Sequence, residues 1–288
     1  MSIVELVKQG KTVVTAEVGP PKGVDIKELL ENAELMRGRV NAINVTDQQS
    51  SAMRLGSLAV CRLLKEKGHE PVFQITCRDR NRIALQSDLL GAYVLGVENV
   101  LCLTGDHVIL GDHPEAKPVF DLDSVSLLRA AVELQNGHDL AQKELEGSPQ
   151  FCLGAVVSPA SDPIEPQLIK MEKKVKAGAQ FFQTQAVYEP RKFEEFIKAT
   201  AHLNVPIMVG IVLLRSAGMA RFMNRNVAGI HVPDNLIQEM DDADKKVDKS
   251  IEIAARLIKE MTPLCQGVHI MAIGWEDKVP LVLDAAGM

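Results

Sequence analysis

Aromatic residues are scarce in this chain, 4% of the total, with a single tryptophan, Trp275. Few side chains are therefore available to stack on bases, and the formal net charge is −6. Both features argue against nucleic acid or an anionic membrane surface as the main partner. No run of about 18 apolar residues occurs, so no segment reads as membrane-spanning. Met1–Gly10 is a short mixture of polar and apolar residues, unlike a secretion signal. The five cysteines, Cys61, Cys77, Cys102, Cys152 and Cys265, form no CxxC pair and stand near no histidine at zinc-ligand spacing. Three lie in or beside apolar runs, as small buried hydrophobes do. An odd, irregular set fits a reducing compartment, and the cytoplasm is the expected location. GxGxxG, GxxxxGK[ST] and HExxH are all missing, which removes the dinucleotide fingerprint, the P-loop and the zinc-protease helix. No Pro/Gly/Ser-rich linker or low-complexity tract divides the chain, so residues 1–288 read as one domain.

What is present is enough for a full core: 46% apolar and 24% charged residues. Short apolar, β-branched-rich runs occur at Thr12–Val18, Asn41–Thr46, Pro71–Thr76, Asn99–Thr104, Phe151–Val157, Gln180–Val187, Pro206–Val212 and Gly267–Ile273. Most are bounded by Gly, Pro, Asp or Asn, and they lack strict polar alternation, which fits strands buried on both faces. Between them, Ser51–Lys67, Arg82–Leu95, Asp123–Leu134, Glu165–Ala177, Arg191–His202 and Val247–Met261 carry helical periodicity. In the last of these, Val247, Ile251, Ala254, Leu257, Ile258 and Met261 form one stripe. Pro163 and Pro190 stand where helices start. Strand and helix alternating in this way predict a parallel sheet with helices outside, and eight repeats in this length predict a single (β/α)8 barrel, the TIM-barrel form of the α/β class. The long irregular stretch Asp106–Leu122 follows the fourth strand, at the end where such barrels build their active sites.

That rule directs attention to polar residues at the strand carboxyl ends. Glu17 sits inside an apolar run, where an ionised carboxylate is costly unless it is paired or its pKa rises. It reads either as a general acid or as a strand-end carboxylate paired with an Arg or Lys. Thr46, Gln74, Thr104-Gly105-Asp106 and Gln183-Thr184-Gln185 occupy matching ends. Gly105-Asp106 fits a tight turn or helix cap equally well, and Gln185 fits a neutral hydrogen-bonding role inside the barrel. His107 and His113 fall in the long loop and read as solvated.

These segments together resemble the methylenetetrahydrofolate reductase family. Glu17-Val18-Gly19-Pro20-Pro21 is similar to its strand-one F-E-[FV]-x-P-P segment, with Ala16 where Phe is usual. Leu103-Thr104-Gly105-Asp106 resembles L-R-G-D, and Gly178-Ala179 through Thr184-Gln185 resembles G-A-x-x-x-x-T-Q. Lys174-Val175-Lys176-Ala177 matches the basic helix end before it; Val45-Thr46 and Ile75-Thr76-Cys77 match strands two and three. The resemblance runs from Thr12 to about Pro233.

The resemblance implies a flavin-dependent oxidoreductase that interconverts 5,10-methylene- and 5-methyl-tetrahydrofolate by hydride transfer through flavin N5, with FAD, or FMN instead, as cofactor. By the same resemblance Glu17 is the general acid, Asp106 lies near flavin and pterin, and Gln185 hydrogen-bonds the pterin. Thr46, Gln74, Thr104, Gly105, Asp106 and Lys174 match cofactor-contacting positions, and Phe222 matches an aromatic that stacks on the ligand facing the flavin. The departures are as specific. Asp47 stands where an aromatic is common, Gln74 where His is common, Thr104 for Arg, Gln167 for an acid, Gly218 for Gln, and Gly274-Trp275 for a final Asn-Arg. They point away from direct use of NAD(P)H and toward a redox partner protein as electron donor, with the chain an oligomer or a subunit of a complex. The rival readings are a Schiff-base aldolase, for which no strand supplies a lysine, a pterin methyltransferase, and a non-catalytic subunit of a redox complex.

Overall fold

The computed structural model covers residues 1–288. Its strands are β1 (Val13–Val18), β2 (Ala42–Val45), β3 (Pro71–Thr76), β4 (Asn99–Leu103), β5 (Cys152–Val157), β6 (Phe181–Ala186), β7 (Ile207–Val212) and β8 (Gly267–Met271). They pair in parallel in chain order, and β8 returns to β1 to close the barrel, setting His269 opposite Thr15. Each lies within two residues of its predicted range, and the closed (β/α)8 barrel is the predicted one.

The helices are α1 (Ile3–Lys8), α2 (Lys27–Leu35), α3 (Ser57–Glu66), α4 (Arg82–Val94), α5 (Ser124–Gln135), α6 (Glu165–Lys176), α7 (Pro190–Thr200), α8 (Ala217–Asn226), α9 (Asp234–Asp242), α10 (Lys246–Met261) and α11 (Val279–Ala286). None is long and apolar enough to cross a membrane. The six expected helices are met to within two residues at each end except at one start, where α3 begins at Ser57, not Ser51; α1, α2, α8, α9 and α11 were not among those expected. Gln48, Ser50 and Ser51 hold φ of 49°, 55° and 60°, which no right-handed helix accommodates. The Gln48 side chain ties this turn off, accepting from Arg54 N at 2.7 Å and donating to Arg54 O at 3.1 Å.

Two apolar layers follow from the two faces of each strand. The outer one, 65 buried residues, lies between strands and helices. The inner one is a plug of nine: Val13, Ala42, Val72, Leu101, Cys152, Phe181 and Met208, capped by Ile3 and Leu6 of α1. The capping box of Ser2 and Glu5 starts α1 in place to do this. Phe181 is the largest inward side chain of the plug, and its burial is worth about 1.5–3 kcal/mol. The cysteines are structural: burial pushes the Cys77 thiol up to about 12 and the Cys152 thiol up to about 11.

Candidate active site

Above the plug the barrel interior turns polar. The inward face of β1 runs Val13, Thr15, Glu17, so one strand carries an apolar, a hydroxyl and a carboxyl group in successive layers. Asn44 of β2 and Gln183 of β6 face each other across the barrel: Asn44 Nδ2 donates to Gln183 Oε1 at 2.8 Å, and Gln183 Nε2 returns a bond to Asn44 Oδ1 at 3.1 Å. Gln183 Nε2 also donates to Thr15 Oγ1 at 3.0 Å, and Thr15 Oγ1 lies 2.8 Å from His269 Nδ1. His269 Nε2 stands 3.3 Å from Glu17 Oε1, and Gln74 Nε2 of β3 donates to the same oxygen at 2.8 Å. Glu17 is 13% exposed and His269 4%. The result is a continuous buried polar layer that opens upward at one carboxyl group.

The strand ends are braced by buried charges. Asp47, fully buried, accepts from Thr76 N and Oγ1, both at 2.9 Å, and from Arg80 Nη1 at 2.7 Å. A buried carboxylate this fully bonded is satisfied, and removing one partner would leave an uncompensated charge. This accounts for an acid where the family commonly has an aromatic. Arg78 is buried too, with its guanidinium on Asp79 and on the carbonyl oxygens of Gln48 and Asp106. It thereby joins the loops after β2, β3 and β4. Gly105 lies against this brace at φ +90°, and a Cβ there would sit 3.1 Å from both Thr76 and Arg78, so glycine is required. Asp112 fastens the β4 loop across the mouth through Lys22 and Met53 N, and those bonds hold its carboxyl below the usual range.

Beside β4 a cleft of about 580 Å³ is lined by Thr104, Gly105, His107, Phe120, Asp123 and Ser126. Thr104 Oγ1 accepts from Ser124 N at 3.1 Å and so holds the start of α5. Lys174 is buried at the end of α6 with its Nζ 2.6 Å from Val156 O, and burial, then neighbouring Lys170, pushes its pKa down to about 8. Thr46 Oγ1 is buried without a hydrogen-bond partner. Asp106 is exposed at the rim. Gln185 is half-buried within a register shift in β6, where the Thr184 and Gln185 carbonyls press on Gly210 so closely that a Cβ would sit 2.2 Å from the nearer one. Such a bulge re-aims the side chain at a strand end.

Of the predicted site residues, Glu17 and Gln74 are in direct contact. Thr46, Thr104, Gly105, Asp106 and Gln185 stand at the same carboxyl end, and Lys174 reaches the β5 strand there. Phe222 presents a 60% exposed ring on α8 and does not touch the polar layer. Trp275, beyond β8, carries the Arg215 guanidinium at 5.5 Å from its ring centroid, and Arg215 also donates to Ile273 O at 3.2 Å. Thr15, Asn44, His269 and Arg80 were not anticipated, and Gln183 and Arg78 were noted only as strand-end polar residues without a role. The available signal was polar residues at alternate positions of apolar strands, above all a histidine in β8.

A closed parallel barrel with an apolar plug below and a buried carboxyl group in its carboxyl-end mouth belongs to the class of (β/α)8 barrels, the fold whose enzymes build their active sites on that face. Residues 2–287 match the methylenetetrahydrofolate reductase family, and the chain belongs to that family. It is 26% identical to a Schizosaccharomyces pombe protein named methylenetetrahydrofolate reductase 2, covering 100% of this chain and 48% of that one. It is 22% identical to the 5,10-methylenetetrahydrofolate reductase of Salmonella typhimurium, covering 89% of this chain and 82% of that one. The chain thus spans about half the length of its fungal relative. A solved Clostridium thermocellum protein, described as binding two copies of 5-methyl-5,6,7,8-tetrahydrofolic acid, shares the fold at a TM-score of 0.68, with 15% identity and 99% of each chain covered.

Proposed function

We propose that the chain interconverts 5,10-methylene- and 5-methyl-tetrahydrofolate. The observation that carries this reading is Glu17, a carboxyl group enclosed in the barrel mouth with two neighbours on one oxygen and the other free. In the reductive direction the methylene–N10 bond breaks, its electron pair passes to N10, and the Glu17 proton goes with it. A carboxylate remains, stabilised by the donors on Oε1. The cationic iminium left at N5 is favoured by the negative charge of Asp106 at the rim. Gln185 is suited to hydrogen-bond the pterin edge.

The residues present fit a flavin, FAD or FMN. Thr46 supplies an orphaned buried hydroxyl, Lys174 a buried amine with a single acceptor, and Thr104 and Gly105 line an open cleft. Bound there, the flavin supplies the hydride and takes no part in the proton step. For the electron donor we favour a redox partner protein over NAD(P)H. Gln74 is engaged by Glu17, Gly218 offers no side chain, and Trp275 is covered by Arg215. Anaerobic addition of 5-methyl-tetrahydrofolate to the purified flavoprotein should bleach the flavin absorbance. A flavin that stays oxidised, or a protein that takes up no flavin, overturns the reading. NADH should bleach it far more slowly; rapid bleaching at micromolar NADH removes the case for a partner.

A further inference from the structure

The polar layer has a direction, and the direction can be read from donors and acceptors. The Gln183 amide nitrogen has two hydrogens and three neighbours, Thr15 Oγ1 at 3.0 Å, Asn44 Oδ1 at 3.1 Å and His269 Nδ1 at 3.3 Å, of which the two nearest take the hydrogens. Asn44 Oδ1 is an acceptor because Asn44 Nδ2 is already donating to Gln183 Oε1. Thr15 Oγ1 therefore accepts from Gln183, and its single hydrogen remains for the 2.8 Å contact with His269 Nδ1. That makes Nδ1 an acceptor, places the ring proton on Nε2, and points it at Glu17 Oε1, 3.3 Å away. An imidazolium would instead direct two donors at Thr15 and leave the hydroxyl hydrogen without a partner. With the Asn44 and Gln183 amides in these orientations, the chain of bonds is complete for the neutral Nε2–H ring.

We propose that His269 is a positioning residue for Glu17: held by Thr15 as the neutral Nε2–H tautomer, it and Gln74 occupy Oε1, so that Oε2 carries and delivers the proton. This rests on Glu17 being the acid of the proposed reaction. Two donors on Oε1 favour the carboxylate that remains after proton transfer and fix which oxygen faces upward. No other charged group bonds to this pair: Asp47, Arg78, Arg80 and Lys174 are held in their own contacts at the strand ends, and Asp106 stands at the rim. Thr15, Asn44, Gln74 and Gln183 are neutral, the remaining strands β4, β5 and β7 bear no charged side chain, and burial keeps Cys102 and Cys152 as thiols.

Two measurements test this without turnover. In the purified full chain, imidazole 15N shifts near pH 7 should show His269 with Nδ1 unprotonated and Nε2 protonated. A protonated Nδ1, in either the other tautomer or an imidazolium, overturns the proposal. Second, the Glu17 carboxyl 13C signal, assigned by its loss in Glu17→Gln, should titrate about one pH unit higher in His269→Phe, because a donor to the anion is gone. Thr15→Val, which keeps the ring but frees its orientation, should shift it in the same direction by less. An unchanged Glu17 titration in a folded His269→Phe overturns the proposal, as does one shifted downward. If His269→Phe does not fold, Thr15→Val alone decides on the same criterion. Should both measurements come out as expected while the flavin stays unbleached by folate, the function fails and the pairing stands. A further arm covers the active protein: the fall of folate reduction with rising pH should move to higher pH in Thr15→Val.

Discussion

The two ends of the barrel interior are built on the same eight strands and obey opposite rules. At the amino end the inward side chains are Val, Ala, Leu, Phe, Met and Cys, sealed by α1. At the carboxyl end they are Thr15, Asn44, Gln74, Gln183, His269 and Glu17, joined by hydrogen bonds. The plug needs only shape and volume, so it contributes through burial. The polar layer gains little net energy per bond, because each group gave up water to enter. What it secures is orientation. Stability and chemistry are thus separated along a single strand direction, within about two residues of each other on β1.

If that division is right, damage at the two ends should differ in kind. The largest loss of stability should come from the plug: Phe181→Ala is expected to cost about 3–5 kcal/mol by urea denaturation. A loss below about 1 kcal/mol would mean that the plug collapses freely around the cavity, against the density of such interiors. Lys174 offers the converse at the carboxyl end. Its folded pKa of about 8 lies below the ordinary 10.5. Below pH 8 both states hold the proton, and the folded state bears the full cost of a buried charge. Between pH 8 and 10.5 the unfolded chain binds a proton that the native one lacks, so this residue's contribution becomes more favourable as pH rises, by about 3 kcal/mol at most. Lys174→Met should lack that rise and be the more stable protein at pH 7. Parallel stability–pH curves for the two would show that the amine is not desolvated. If the proposed cofactor role holds, the variant should also bind flavin more weakly.

A smaller effect sharpens the same contrast. Gln183→Leu strands Asn44 and Thr15 and should cost about 1–3 kcal/mol, while adding Asn44→Leu should recover part of it, since replacing both partners removes the unpaired group. Simple additivity of the two losses would mean that the pair is not coupled. Smallest of all, Asp106→Asn should raise the bound flavin's midpoint potential by about 30 mV, the two-electron equivalent of about 1.4 kcal/mol. Spectroelectrochemical titration reads it, and an unchanged or lower value places Asp106 away from the ring.

The barrel was legible in the sequence because its signal is local. Apolar β-branched runs mark the strands, and turn residues bound them. The start of α3 was not, because Ser51–Gly56 continues an apolar pattern through a turn that the Gln48 side chain closes on the Arg54 backbone. Of the site, Glu17 stood out as a charge in an apolar run, and Gln185 and Gly105 fell within recognisable segments. Of the partners of Glu17, Gln74 was picked out only as a cofactor contact and His269 not at all, because barrel closure brings it in from afar. His269 is contributed by β8 to a carboxyl group on β1, and Gln183 by β6 to Thr15. No periodicity reports such pairs. Asp47 looked like a departure from family pattern and turns out to be half of a buried ion pair with Arg80, a residue that its own surroundings gave no reason to single out.

The central claim is that Glu17 supplies the proton for folate reduction. It is tested most directly by single-turnover reoxidation of the reduced flavoprotein with 5,10-methylene-tetrahydrofolate, followed anaerobically by stopped flow for the native chain and Glu17→Gln. The account predicts that the variant keeps its fold and flavin and loses about 100-fold or more in rate, as expected for removal of a general acid. Reoxidation within about tenfold of the native rate would contradict it.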